Sequence, residues 1–174
     1  MQRGLSDRCT FRRVVPKLGN TRAITDKEII VKKNLMMVYG QTLSRTIADT
    51  EDVQKDLEPY YTKLKTAMDA DKLADLSDAD FADIQSEFQD GTDRYLSYND
   101  KLKKLQAPAR FMGKHQTLKR AYDTYANACQ TMTDSLNVKE HTVDTKKFAQ
   151  AEIDQNEAMD RIIRLIQTIM ATNA

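Results

Sequence analysis

The sequence predicts an all-α fold: an up-down-up-down four-helix bundle with coiled-coil-like packing and a flexible N-terminal arm. Three observations predict it. First, Phe111, His115, Leu118, Tyr122, Tyr125, Cys129, Met132 and Leu136 follow one another at alternating steps of four and three. An α-helix puts such positions on one stripe, which another helix covers best. Second, the same rhythm recurs in two more segments and, less cleanly, in a fourth. Third, the 174 residues are 40% hydrophobic and 30% charged, with only five Gly and three Pro. That balance favours a helical domain over a sandwich or barrel.

Residues 1–24 carry no sustained apolar period, and Gly4, Pro16 and Gly19-Asn20 interrupt them. They read as a disordered basic arm, with Arg3, Arg8, Arg12, Arg13, Lys17 and Arg22 against Asp7. The whole chain has a formal charge of +1, so residues 25–174 form a mildly acidic body behind a basic arm.

Helix 1 is expected over about 26–70, opened by a Thr25/Glu28 capping box. Its seam runs Met36, Tyr39, Leu43, Thr46, Thr50, Val53, Leu57, Tyr60, Leu64 and Ala67. The rhythm crosses Pro59 without a slip. One long helix kinked near 55–59 is therefore expected, with a break into two helices as the alternative. Its length suggests an overhang that exposes Ile29, Ile30 and Val31.

Helix 2 begins after Ser77, whose side chain is placed to cap it, and Asp78, Asp80 and Asp83 suit the positive end of its dipole. The seam is Phe81, Ile84, Phe88, Gly91, Tyr95, Tyr98, Leu102 and Leu105. Gly91 on that seam predicts the close approach of a bulky neighbour such as a tyrosine ring. Pro108 suits the first turn of helix 3, which is expected to run to about Leu136 with Asn137 as its C-terminal cap. After a loop over 138–143, Asp144 caps helix 4. The first half of helix 4 is thinly apolar, with Phe148, Ala151 and Gln155 near the seam. Its second half, through Ile162, Ile166 and Ile169, is expected to anchor more firmly.

Chemistry-bearing residues are few. His115 lies on the seam of helix 3 and reads as a neutral core histidine hydrogen-bonded to a tyrosine hydroxyl, the backbone or water. Glu-x-x-His pairs of the di-iron kind are missing, and no metal or cofactor is expected. Cys129 lies about 21 Å along the same helix from His115, too far for a nucleophile–base pair. Cys9, in the arm, is not expected to pair with Cys129. Reduced thiols point to the cytoplasm. The basic start of the chain has no apolar stretch of the kind a secretory signal needs, which agrees; a different true start would reopen the cell surface. The seven tyrosines are expected mainly in ordinary packing, with a stacked planar ligand as the rival.

Charge divides the bundle ends. The turn between helices 1 and 2 is acidic, and the segment 101–122 is basic. Lys101, Lys103, Lys104, Arg110 and Lys114 form a candidate anion site, because free backbone N–H groups at a helix start attract anions. Gly-rich phosphate loops, paired thiols and nucleophile elbows are not visible, so an enzyme is not expected.

The run Leu105-Gln106-Ala107-Pro108-Ala109-Arg110-Phe111-Met112-Gly113-Lys114-His115, followed by Leu118, Ala121, Tyr122 and Tyr125, resembles a hairpin of small helical-bundle proteins and lipoproteins of Gram-positive bacteria. The resemblance implies a helical bundle and supplies no catalytic residues. Those proteins often carry an export or lipidation signal; here Ser6-Asp7-Arg8 precede Cys9 in place of a lipid-attachment motif.

The function expected is that of a non-enzymatic interaction or scaffold protein, bacterial, with a protein partner, acting as a monomer or dimer. One alternative is polyanion binding, to nucleic acid or anionic membrane, through the arm and the basic end. The other is a small-ligand or metal carrier in the bundle core.

Overall fold

A computed structural model describes residues 26–172, with side chains from Ile30 onward. Four helices make the fold: α1 (Asp26–Asp69), α2 (Asp78–Lys104), α3 (Met112–Thr133) and α4 (Thr145–Ala171). The arm, Cys9 and Thr25 lie outside the described residues, as do the side chains of Lys27, Glu28 and Ile29. The expected capping box therefore falls outside them too.

Side-chain pairs fix the helix directions. Lys63 meets Asp80 and Asp56 meets Arg94, so α1 and α2 run antiparallel. Gln89 meets Gln130 and Asn99 meets Asp123, so α2 and α3 do the same. Gln155 of α4 reaches Ala128 of α3, while Tyr61 of α1 stacks on Phe148 of α4 and Gly40 faces Met170. Across the middle, Tyr39, Thr50 and Gln54 of α1 touch His115, Tyr122 and Tyr125 of α3 in parallel order. The up-down-up-down bundle expected from the periodicity is the fold observed.

The seams become the core. Tyr39, Leu43, Val53, Tyr95, Leu102, Leu118, Tyr122 and Ile162 form one cluster, and Leu64, Phe81, Ile84, Phe88, Met132 and Phe148 a second, nearer the α1–α2 turn. Thr46 and Thr50 are also buried. Each returns its hydroxyl hydrogen to the carbonyl four residues earlier, which removes the cost of enclosing it. Thr50 additionally meets the Tyr122 hydroxyl at 2.6 Å.

α1 is continuous through Pro59. Pro59 and Lys55 both face solvent, so the Lys55 carbonyl, deprived of its helical donor, can turn to water. Gly91 does mark a close approach, but the neighbour is Leu57: a Cβ at Gly91 would lie 2.5 Å from Leu57 Cδ1. Asp80 N–H donates to Ser77 Oγ and Lys147 N–H to Asp144, so both predicted side-chain caps are present.

Three boundaries differ from expectation. Pro108 does not open α3; it precedes a 3₁₀ turn at Ala109–Phe111, and α3 starts at Met112. α3 stops at Thr133, short of Leu136. Asn137 is not a helix cap, because Leu136–Asn137 (β1) pairs antiparallel with Thr142–Val143 (β2) in a short hairpin. His141 takes φ 51° near the hairpin tip, where its ring stacks on Phe81 and its Nε2 lies 3.2 Å from Asp78. The start of α4 is also well held: Phe148 and Ala151 are buried, and the hairpin ties the preceding segment down.

The 44 residues of α1 span about 66 Å and the 27 of α2 about 40 Å. Tyr39 stacks on Phe111 and Gly40 lies against Met170, next to the last turn of α4. The turns of α1 before Met36 therefore project past the body of the bundle.

Candidate functional site: the uncovered face of α1 and the central pocket

The overhang and the first turn after it present an apolar face on the outer side of α1. Ile30 and Val31 are 59% and 60% exposed, and Met37 and Val38 are 55% and 51% exposed. Members of each pair, Ile30 with Met37 and Val31 with Val38, stand seven residues apart and so nearly superpose along the helix. At 100° per residue this stripe points away from Tyr39 and Leu43, which enter the core. The sequence reading found Ile30 and Val31 but missed Met37 and Val38. Their seven-residue offset was the signal that could have found them.

Within the bundle a second feature opens. A pocket of about 480 Å³ is walled by Leu57 and Tyr61 of α1, Phe88, Thr92 and Tyr95 of α2, Tyr125, Cys129, Met132 and Thr133 of α3, and Gln155 of α4. Glu51, Gln54, Lys55 and Glu58 of α1 form its rim. Thr92 and Thr133 share a hydrogen bond of 3.2 Å at its side, and Gln54 donates to the Tyr125 hydroxyl at 3.0 Å. Gln155 Nε2 has a long contact of 3.4 Å to the Ala128 carbonyl and one of 3.5 Å to the weak acceptor Met132 Sδ.

Burial sets the protonation states of this interior. Desolvation pushes the Cys129 thiol up to about 12, with hydrogen bonding to Tyr125 opposing, so it stays a neutral thiol. Tyr95, Tyr122 and Tyr125 are likewise raised, first by burial. Tyr61 is raised to about 12 by burial and then by its hydrogen bond to Glu152.

His115 sits in the core as a polar position, with Nδ1 3.2 Å from the Tyr39 hydroxyl and its ring edge-on to Tyr39. Burial lowers its pKa, and Lys119 lowers it further; the backbone of Leu105 and Leu102 opposes them weakly. No acceptor or donor reaches Nε2 with hydrogen-bonding geometry, so the desolvation cost prevails.

The five cations of the candidate anion site gather at one bundle end, and three of them make contacts of their own. Lys103 pairs with Asp123 at 2.8 Å, and Asp123 also accepts from Asn99. Lys101 lies over the Tyr98 ring. Arg110 stacks on Phe111 and reaches Met36 Sδ. Lys104 closes α2, and Lys114 stands in the first turn of α3. The central pocket is lined by none of them. Asp123 could not be seen in the sequence as the partner of Lys103, because it lies outside the acid-free run and meets that lysine only through helix pairing.

Among the described residues, no group of three His, Cys, Asp or Glu side chains could hold a metal ion. No described helix is long and apolar enough to cross a membrane. Comparison with protein-family models, with curated proteins and with solved structures finds no match.

Proposed function

We propose that this protein is a non-enzymatic interaction or scaffold module, whose projecting α1 receives an amphipathic helix of a protein partner. One observation carries the reading: Ile30, Val31, Met37 and Val38 form an outward stripe that the chain's own core does not cover. Two pairs spaced by seven match the repeat that a second helix presents along a shared seam. Lys33, which is exposed, stands at the Met37 edge of the stripe and favours an acidic residue at the edge of the partner's apolar face. A bacterial cytoplasm is the setting we assign, and the buried free thiol of Cys129 suits its reducing conditions.

The test is affinity capture from the native cell extract with three chains: wild type, a chain starting at Thr25, and Met37→Glu/Val38→Glu. Capture by the first two and loss of the same protein by the third, at unchanged melting temperature, is the expected result. A partner retained by the double variant would overturn the docking face. A partner lost only on removal of residues 1–24 would move recognition to the arm.

A further inference from the structure

We propose that the centre of the bundle binds one neutral, largely apolar small molecule that carries a ring system and one hydrogen-bond acceptor. The site is distinct from the α1 face and uses residues of all four helices.

Size is the first argument. The pocket is a cleft that opens to solvent past its α1 rim, so a ligand can enter it. A pocket of about 480 Å³ is of the size that takes drug-sized ligands, and spaces between the helices of bundles are a recurrent place for them.

The lining says what fits. Phe88, Tyr95 and Tyr125 supply ring faces and edges, and Met132 supplies an adaptable thioether wall. Tyr95 and Tyr125 are already edge-on to one another at 5.1 Å, a geometry that a flat ring can extend. These surfaces are poorly served by water, so a ring system that replaces it gains the burial of both partners.

The polar groups then select among ring-bearing molecules. Thr133 donates to the Cys129 carbonyl and accepts from Thr92, and Gln54 is engaged with Tyr125. Gln155 differs. Its contact with the Ala128 carbonyl, at 3.4 Å, lies beyond the usual range of about 2.7–3.2 Å for N–H···O bonds, and its other acceptor, Met132 Sδ, is a weak one. Its amide is the group with a hydrogen to offer, which calls for a carbonyl or ether oxygen on the ligand.

Charge excludes the other classes. The inner walls carry no ionised side chain, since the Cys129 thiol and the tyrosine hydroxyls stay protonated. At the rim, Glu51 and Glu58 stand beside Lys55, which is already paired with Asp52 at 3.1 Å. An anion would therefore meet net negative charge at the entrance and find no cation inside.

The experiment titrates the full chain with 6-propionyl-2-(dimethylamino)naphthalene, a neutral fluorescent naphthyl ketone whose carbonyl supplies the acceptor. It repeats the titration with 6-(dimethylamino)naphthalene-2-sulfonate, an anion of the same ring skeleton, and with Gln155→Phe, which removes the amide and puts a ring on the pocket wall. Saturable one-to-one binding of the neutral probe is expected. The sulfonate and the variant should each bind at least about tenfold more weakly, with the variant's melting temperature close to that of wild type. Nuclear Overhauser contacts from the probe should fall on the Met132 methyl and the Tyr125 ring. Non-saturable binding, equal affinity for the sulfonate, or undiminished binding to folded Gln155→Phe would overturn the proposal. So would probe contacts on Ile30, Val31, Met37 or Val38, and this mapping decides the matter even if Gln155→Phe fails to fold.

Discussion

Gly91 and Gly113 show how one residue type acquires opposite meanings from its surroundings. Nothing lies within 4 Å of a Cβ added at Gly113, which is exposed in α3. Gly113→Ala should therefore raise stability by about 0.5–1 kcal/mol through helix propensity alone. At Gly91 the added methyl would strike Leu57, and Gly91→Ala should lower stability by about 1 kcal/mol because the packed seam must shift. Urea unfolding of both variants checks the pair; equal signs would contradict the packing argument. His115 provides the pH-dependent counterpart. Its folded pKa is lowered from 6.5 by burial, so the unfolded ring takes up a proton first. The neutral, folded ring contributes its stability fully above that value, and the contribution is lost as pH falls from there through the lowered folded pKa. Unfolding free energies of wild type and His115→Gln, compared between about pH 7.5 and 5.5, should show a steeper acid loss in wild type. Parallel pH profiles would rule the effect out.

At the scale of elements, periodicity carried through where caps and prolines alone would have misled. Pro59 looked like a break, but the unbroken 3/4 spacing on both sides was the better guide, because a helix that stays in phase keeps burying the same face. The hairpin β1–β2 was not legible. Two-residue strands carry no period to detect, and their pairing depends on where the α3–α4 turn brings them. The contact that holds α4's start was hidden for a related reason. Local apolar density there is low, but Phe148 is buried against Tyr61, a residue far away in sequence. Phe148→Ala should cost about 3 kcal/mol or more, and amide exchange over the first half of α4 should be as slow as over the second. Fast exchange there in wild type would restore the expectation of a fraying start.

Across the whole molecule, the sequence contains a fold more openly than a function. Each seam residue reports its burial through spacing, a property of its own helix, and the buried faces of α1, α2 and α3 follow that spacing closely. The candidate sites depend on relations between helices. Gln155 could be noticed near a seam, but its loosely held amide and the pocket beside it arise only when α1 and α4 stand apart from one another. The basic segment from Lys101 to Lys114 is legible as a candidate anion site, whereas the pairing of its Lys103 with Asp123 arises only from helix pairing. Conversely, the uncovered stripe of α1 needed both its own spacing and the endpoints of α3 and α4, which decide how much of the helix projects. The most direct test of that stripe as a docking face is photo-crosslinking in the native cell, with a benzophenone side chain installed at Val31, Val38 or the exposed control position Asn156. Val31 and Val38 should give the same discrete adduct and Asn156 should not. Adducts that are alike at all three positions, or found only at Asn156, would contradict the account.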